Sequence, residues 1–294
     1  MASHPRNRLY IAGGPGGGSV GIKVHNHIAK SLGLNWTCEF LQLDSVDKVM
    51  DIYRAPDFAG GIVTMPHKRP IIPLLDHSDD LVEITGACNL VYLAEGGKLH
   101  GTNTDWQGTY DAIIAKSPDH VPGRTGMVYG AGGASRAAVY ALWEKLKCDK
   151  IYLVNRDEEE VAGLLQDLRR RPDIYWPEVV HVKTLEMAKG LPAPYYIVSC
   201  VPDFEPVTLP ETVARDILVE FLRGAGPKGL VLDMCYHPPM TMNLQLAVEN
   251  GFEIVEGQTV VAAQYKYQWE AWTGQTIDSK EAFEMTERII RDGH

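Results

Sequence analysis

The stretch GMVYGAGGASRAAVYALWEKLKCDKIYLVNR, Gly126 to Arg156, decides the fold. Met127 to Tyr129 is a short apolar run, and GAGGAS, Gly130 to Ser135, follows it directly. Ala137 to Lys147 carries apolar residues at helical spacing, and a second apolar run, Ile151 to Val154, leads into Asn155-Arg156. Strand, glycine turn, helix and strand form the opening unit of a dinucleotide-binding fold. The physics dictates the residue types. Gly130 and Gly132 permit a sharp turn and a close backbone approach to a pyrophosphate, and Gly133 or Ala134 lets helix and strand pack closely. The helix N-terminus presents free N–H groups and partial positive charge. Gly130, Ala131, Gly132, Gly133, Ala134 and Ser135 are therefore the candidate phosphate cradle; the alternative is an α/β turn that binds nothing.

The end of the second strand bears on the choice of cofactor. An acidic residue there would accept hydrogen bonds from the ribose 2′-hydroxyl and favour NAD. The chain has Asn155 and Arg156, and a guanidinium pairs well with a 2′-phosphate, so NADP is the first expectation. Asp157 comes next. If Asp157 faces the ribose instead, NAD is accepted as well.

With 294 residues, 45% hydrophobic and 22% charged, the chain reads as one or two ordinary globular domains. Its formal net charge of −10 argues against nucleic acid as a partner. The cysteines at 38, 88, 148, 200 and 235 are odd in number and form no C-x-x-C. Neither a disulfide framework nor a zinc site is indicated, and no metal is expected. There is no run of about 18 apolar residues, so no membrane partner is expected, and the reading is cytoplasmic. A monomer or homodimer is expected.

Before Gly126, strands are expected at Leu9 to Ala12, Thr37 to Leu43 and Gly61 to Met65. Helices are expected at Ile22 to Leu34, Val46 to Tyr53 and His67 to Leu75, the last despite Pro70 and Pro73. Gly13 to Gly21 reads as a loop. This βαβαβ order predicts parallel strands with right-handed crossovers. Leu90 to Leu93 and Leu99 to Gly101, around EGGK, read as a hairpin. The fold class is α/β, with an N-terminal substrate domain and a Rossmann-type NAD(P)-binding domain. The boundaries are 1–105, completed by 262–294, and 106–261, with a cleft between them where small molecules bind.

Lys68, in VTMPHK, and Asp105, in GTNTDW, stand out chemically. Hydride transfer to a ketone leaves an alkoxide that needs a proton, and a lysine near an aspartate can supply it. Taken singly, Lys68 also reads as a solvated surface lysine, and Asp105 as a helix N-cap.

Several motifs in order resemble the shikimate/quinate dehydrogenase family. V-T-x-P-x-K appears as Val63 to Lys68, G-A-x-N as Gly86 to Asn89 and N-T-D as Asn103 to Asp105. G-A-G-G-A-[SA]-[RK]-A appears as Gly130 to Ala137. Tyr236 through Thr241 resembles Y-x-P-x-x-T, and Gln264 resembles the glutamine preceding W-T-G. The match spans nearly the whole chain. The resemblance implies that Lys68 donates and accepts the proton at the reacting hydroxyl, and that Asp105 bonds that hydroxyl and orients the lysine. It implies that Thr64, Asn89 and Gln264 bind ring hydroxyls, and that Ser19 binds the carboxylate with Tyr236 nearby.

Three departures bear on the substrate. The family's H-S-x-S-P-x-x-H-N reads GGSVGIKVHN from Gly17 to Asn26, so Ser19 survives and the second serine is Gly21. A lost hydrogen bond to a carboxylate costs about 1.5–3 kcal/mol, roughly ten- to a hundredfold in affinity, unless a water or Lys23 substitutes. Ile62 replaces an asparagine, and Ser199-Cys200-Val201 replaces N-A-T. The chain therefore acts on shikimate with weakened affinity, acts on quinate or another ring acid, or binds such a ligand without turnover.

After Arg156, Glu158 to Arg171 reads as a helix with acids first and basics last, as the helix dipole favours. Strands are expected at Val179 to Val182, Tyr196 to Val201 and Gly229 to Met234, with Asp233 either facing the cleft or bonded structurally. Val260 to Trp272 reads as a helix that returns to the first domain, with core aromatics. Glu281 to Arg291 reads as a solvated helix. His25 and His27, two apart, point to different helix faces and make a poor metal pair.

Overall fold

The computed structural model describes residues 6–14, 18–169, 173 and 176–292. Part of the expected loop at Gly13 to Gly21 and the end of the expected helix at Glu158 to Arg171 lie outside them. The chain divides into two compact units, 1–104 with 261–294, and 105–260.

In the first unit, β1 (Arg8–Gly13), α1 (Gly21–Ser31), β2 (Thr37–Gln42), α2 (Val46–Tyr53) and β3 (Phe58–Val63) follow the expected βαβαβ order. The Ser45 hydroxyl caps α2 by accepting from the Asp47 N–H at 3.2 Å. β1 pairs in parallel with both β2 and β3. The third expected helix does not form: residues 67–75 make turns and a three-residue 3₁₀ segment, Ile72–Leu74. Pro70 and Pro73 each remove a backbone donor and disfavour helical geometry in the residue before them. The chain continues through β4 (His77–Ser78), α3 (Asp80–Thr85), β5 (Leu90–Leu93) and β6 (Leu99–Thr102). The β5–β6 hairpin is antiparallel, and β5 also runs antiparallel to β3. The strand order is β2-β1-β3-β5-β6-β4.

The second unit holds α4 (Asp105–Lys116), β7 (Thr125–Tyr129), α5 (Gly133–Tyr140), β8 (Lys150–Val154), α6 (Glu158–Leu168) and β9 (Glu178–His181). It continues with α7 (Leu185–Lys189), β10 (Tyr196–Ser199), α8 (Leu209–Arg223), β11 (Leu230–Asp233), α9 (Met242–Glu249) and β12 (Glu253–Val255). All its strand pairs are parallel, in the order β12-β11-β10-β7-β8-β9. A parallel sheet covered on both faces needs apolar residues at successive positions. Val128, Ile151, Leu153, Val198 and Leu232 fill one core. Their neighbours Met127, Tyr152, Val154, Ile197 and Val231 fill the other. The helix expected over Ala137 to Lys147 starts earlier, at Gly133, and from Ala141 to Lys145 it widens into a π-turn.

α10 (Gly257–Thr273) and α11 (Ser279–Asp292) end the chain. α11 is amphipathic rather than wholly solvated: Ala282, Thr286, Ile289 and Ile290 are buried, and it packs on α1. Of the α10 aromatics, Tyr267 and Trp272 are half-buried, whereas Tyr265 and Trp269 are core residues, as expected, and fully buried. They enclose His25 of α1, whose Nδ1 accepts from Trp269 Nε1 at 3.1 Å. His27 points elsewhere and meets Glu281 at 2.7 Å. Burial also sets the chemistry of the core thiols: Cys38 and Cys148 are both pushed up to about 12.

Burial alone lowers the His25 pKa to about 3, so the folded protein holds a neutral imidazole where the unfolded chain is protonated below about 6.5. The unfolded state therefore binds the extra proton, and stability falls as pH drops from about 6.5 toward 3. Urea unfolding at pH 7 and pH 5 is expected to give about 2 kcal/mol more acid sensitivity for the parent than for His25→Phe. Equal acid sensitivity in the two proteins would remove His25 as its source.

Candidate functional site

In the first unit the candidate polar residues gather at the carboxyl ends of β1 and β3 and beside the β5–β6 hairpin. The VTMPHK turn lies tightly against the end of β1. Thr64 N–H donates to Ala12 O at 2.8 Å, and Gly14 N–H donates to Met65 O at 3.0 Å. A Cβ on Gly13 would stand 2.6 Å from Thr64 Oγ1, and one on Gly14 would stand 2.9 Å from Pro66 Cδ. The glycines before the loop thus let the turn approach. His67 anchors the turn from below through a 2.9 Å contact to Leu43 O. The Lys68 carbonyl accepts from Cys88 N at 2.8 Å, which joins the lysine's backbone to the G-A-C-N segment.

Asn89 sits at the centre of a buried network. Its Oδ1 accepts from Thr104 N at 2.7 Å, and its Nδ2 donates to Thr104 Oγ1 and Gln264 Oε1, both at 3.0 Å. Thr104 Oγ1 lies 3.0 Å from Gln264 Oε1 and 3.3 Å from Asn89 Oδ1. One hydroxyl proton serves one of these acceptors, and the shorter contact goes to Gln264. With Oε1 engaged, the Gln264 amide is oriented and its NH₂ faces away from Asn89. Asn103 fixes the same turn by donating to Ala87 O at 2.8 Å. Thr104 was not among the expected binding residues, although it lies inside the N-T-D motif. Nothing local marks it, because its partners are 15 and 160 positions away.

Ser19 stands just before α1, half-buried, and its Oγ accepts from Gly21 N at 3.1 Å. The hydroxyl proton is then available to donate to an anion. A Cβ on Gly21 would lie 3.0 Å from Ser19 Oγ and 3.2 Å from Ile11 Cδ1, so a serine here would have to displace Ser19 or Ile11.

In the second unit the glycine turn has the expected form. Gly130 has φ +119°, and a Cβ there would crowd Ser135 Oγ, Val201 Cγ1 and Cys200 O at 3.2–3.3 Å. Around Gly132 a Cβ would meet nothing within 4 Å, and no side chain caps the N-terminus of α5. This open, glycine-lined helix start fits a pyrophosphate. Arg136 supports it from inside: its Nη1 donates to Ala131 O at 2.9 Å and to Gly132 O at 3.3 Å. Its Nη2 is 2.6 Å from Asp167 of α6, and both side chains are almost fully buried. The [RK] of the motif marked Arg136, but its partner Asp167 carried no signal.

At the end of β8, Asn155 Nδ2 donates to Asp157 O at 3.0 Å and Glu160 Oε2 at 2.8 Å. Asp157 Oδ1 accepts from the N–H groups of Glu159 and Glu160, so it caps α6. The Arg156 guanidinium forms an ion pair with Glu211 of α8. Asp105 is the buried first residue of α4 rather than the cap before it.

Asp233 proves structural. It is fully buried and accepts from Thr241 Oγ1 at 2.8 Å, Cys235 N at 3.0 Å and Asn243 Nδ2 at 3.2 Å. Burial raises its pKa, against those hydrogen bonds. These contacts anchor the loop that carries half-buried Tyr236. Ser199, one of the departures, is buried with its Oγ accepting from Asn243 Nδ2 at 3.0 Å. Burial raises the Cys200 thiol strongly, against the neighbouring Ser135 hydroxyl, and lifts Cys235 to about 11. Among the described residues, no group of three or more His, Cys, Asp or Glu could hold a metal ion, and no helix is long and apolar enough to cross a membrane.

Comparison with known proteins gives a consistent outcome. Residues 11–91 match the profile of the shikimate dehydrogenase substrate binding domain. A quinate dehydrogenase from Emericella nidulans is 35% identical over 295 residues, which cover 92% of this chain and 89% of that protein. The structure of shikimate dehydrogenase from Aquifex aeolicus superposes with a TM-score of 0.77 at 26% identity, over 96% of this chain and 98% of that one. Shikimate 5-dehydrogenase from Thermus thermophilus, in complex with NADP(H) and shikimate, gives 0.74 at 25% identity, over 96% and 99%.

The buried Arg136–Asp167 pair yields a stability prediction. Asp167→Ala strands a buried guanidinium and is expected to cost about 3–5 kcal/mol in urea unfolding. The double replacement Arg136→Met, Asp167→Leu should cost less than that single change, because it buries no uncompensated charge. A double variant as damaged as the single one would assign the loss to packing instead.

Proposed function

We propose that this chain, which belongs to the shikimate/quinate dehydrogenase family, reversibly oxidises a ring hydroxyl of shikimate or of a closely related cyclic hydroxy acid with NAD(P). The chain is an NAD(P)-dependent dehydrogenase. The observation that carries the reading is the survival of Lys68 and Asp105 together with an open glycine turn and a preformed Asn89–Thr104–Gln264 network. The unit 1–104 with 261–294 is read as the substrate domain, in keeping with the profile match over residues 11–91. The unit 105–260 is read as the cofactor domain, from its parallel sheet and glycine turn.

Bound NAD(P) supplies or accepts the hydride at the carbon bearing the reacting hydroxyl. The protein's own work is to bind, orient and move a proton. In the oxidation direction the neutral Lys68 amine takes the hydroxyl proton; in reduction its ammonium returns a proton to the alkoxide. The Asp105 carboxylate accepts a hydrogen bond from the same hydroxyl and holds the lysine in register. Asn89 and Gln264, fixed by their own hydrogen bonds, and Thr64 pair with the remaining ring hydroxyls. Ser19 donates to the carboxylate, with Tyr236 assisting. Such a site rejects analogues that lack a hydroxyl, because its buried partners would be left unpaired. The glycine turn 130–135 would hold the pyrophosphate, and Asn155, Arg156 and Asp157 would bind at the adenosine ribose.

Quinate as substrate is favoured by the 35% identity to a quinate dehydrogenase over 92% of this chain.

Lys68→Ala is expected to leave nucleotide binding intact and to reduce turnover at least about a hundredfold. Rates on shikimate and quinate, each with NAD and NADP, measured side by side for parent and variant, check this and rank the two acids. Equal rates in parent and variant would take the proton transfer away from Lys68.

A further inference from the structure

Arg156 lies two residues past β8, where a guanidinium in this fold would meet a cofactor 2′-phosphate. In the structure that guanidinium is already engaged by Glu211, which comes from α8, 55 positions further along the chain. The Arg156 side chain is 61% exposed and could swing, whereas the Glu211 side chain is 21% exposed and is fixed. Glu211 Oε2 accepts from Val207 N at 3.1 Å and Thr208 N at 2.9 Å, and Thr208 Oγ1 accepts from Glu211 N, completing a capping box. These backbone donors hold the carboxyl down to about 2, so it stays charged throughout the physiological range. The surroundings add negative charge from Asp157, which caps α6 through its carboxylate, and from Glu159 and Glu160 in the first turn of that helix, while Glu158 beside them is ion-paired with Lys183.

We propose that Glu211 is a specificity-determining residue which, by holding Arg156 and adding a fixed negative charge beside it, weakens binding of the 2′-phosphorylated nucleotide relative to the 2′-hydroxyl form. The inference rests on reading the second unit as the NAD(P)-binding domain. The physical basis is competition. A phosphate that recruits Arg156 must break an existing charge-assisted pair and approach a carboxylate that cannot retreat. A nucleotide with a free 2′-hydroxyl pays neither cost and can hydrogen-bond to the acidic turn. An arginine read from the sequence as a mark of NADP is thereby partly neutralised by a residue on another helix.

The test is direct binding of NADP⁺ and NAD⁺ to the full chain by titration calorimetry at low ionic strength. Glu211→Gln keeps a hydrogen-bond acceptor for the helix cap while removing the charge. It is expected to tighten NADP⁺ about fivefold or more and to leave NAD⁺ within about twofold. In an Arg156→Ala background the selective gain for NADP⁺ should shrink to at most about twofold, since only through-space repulsion remains. Thermal melting establishes that each variant is folded, and Glu211→Ala serves as a second neutral variant read the same way. If both nucleotides bind and neither neutral variant changes their ratio, the inference falls while the dinucleotide reading stands. If the parent binds neither nucleotide, the dinucleotide reading falls and takes the inference with it.

Discussion

The first unit depends on one buried side-chain oxygen. Gln264 Oε1 draws Asn89 Nδ2 and Thr104 Oγ1 to the same point, so a helix from the end of the chain is tied to the loop before β5 and the residue that ends the unit. Each of these groups is buried and would cost about 1–3 kcal/mol if left without a partner. The network therefore holds its shape before any ligand arrives, and the proposed ring-binding groups are preorganised rather than assembled on contact.

The second unit solves the same problem with backbone. The turn at Gly130 uses a left-handed conformation and a helix start without a side-chain cap, so its polarity resides in peptide groups that cannot rotate away. Arg136 then holds the carbonyls of Ala131 and Gly132 from behind, with its charge balanced by Asp167. Side chains organise the proposed substrate groups, and main chain organises the proposed nucleotide groups. The difference suits ligands recognised by many hydroxyls in one case and by phosphate charge in the other.

Much of this was legible in the sequence wherever the information is local. Short apolar runs such as Ile151 to Val154, bounded by polar turn residues, read as strands buried on both faces, and the glycine turn announces itself by the strand before it and the helix after it. The βαβαβ order fixed the parallel half of the first sheet. Segments where two local preferences compete were harder to read. His67 to Leu75 has helical spacing but prolines at 70 and 73, and the prolines prevail. The helix after the glycine turn widens at Ala141, and no residue there signals it. Pairings over long sequence distances left no trace at all. Asp167 looks like any surface acid of an amphipathic helix until it is seen facing Arg136, and Glu211 looks only like half of a capping box. Periodicity reports which face of an element is buried; it does not report which distant element covers that face.

The thiols carry a practical consequence. Only the thiolate form of cysteine attacks peroxides, alkylating reagents or other disulfides. Cys38 and Cys148 are held near 12, Cys235 near 11, and Cys200 is raised strongly as well. Burial thereby favours the thiol form of all four at neutral pH, including the two that follow strands β10 and β11. Burial of these four sulfurs thus disfavours the reactive thiolate and makes them poor nucleophiles toward alkylating reagents.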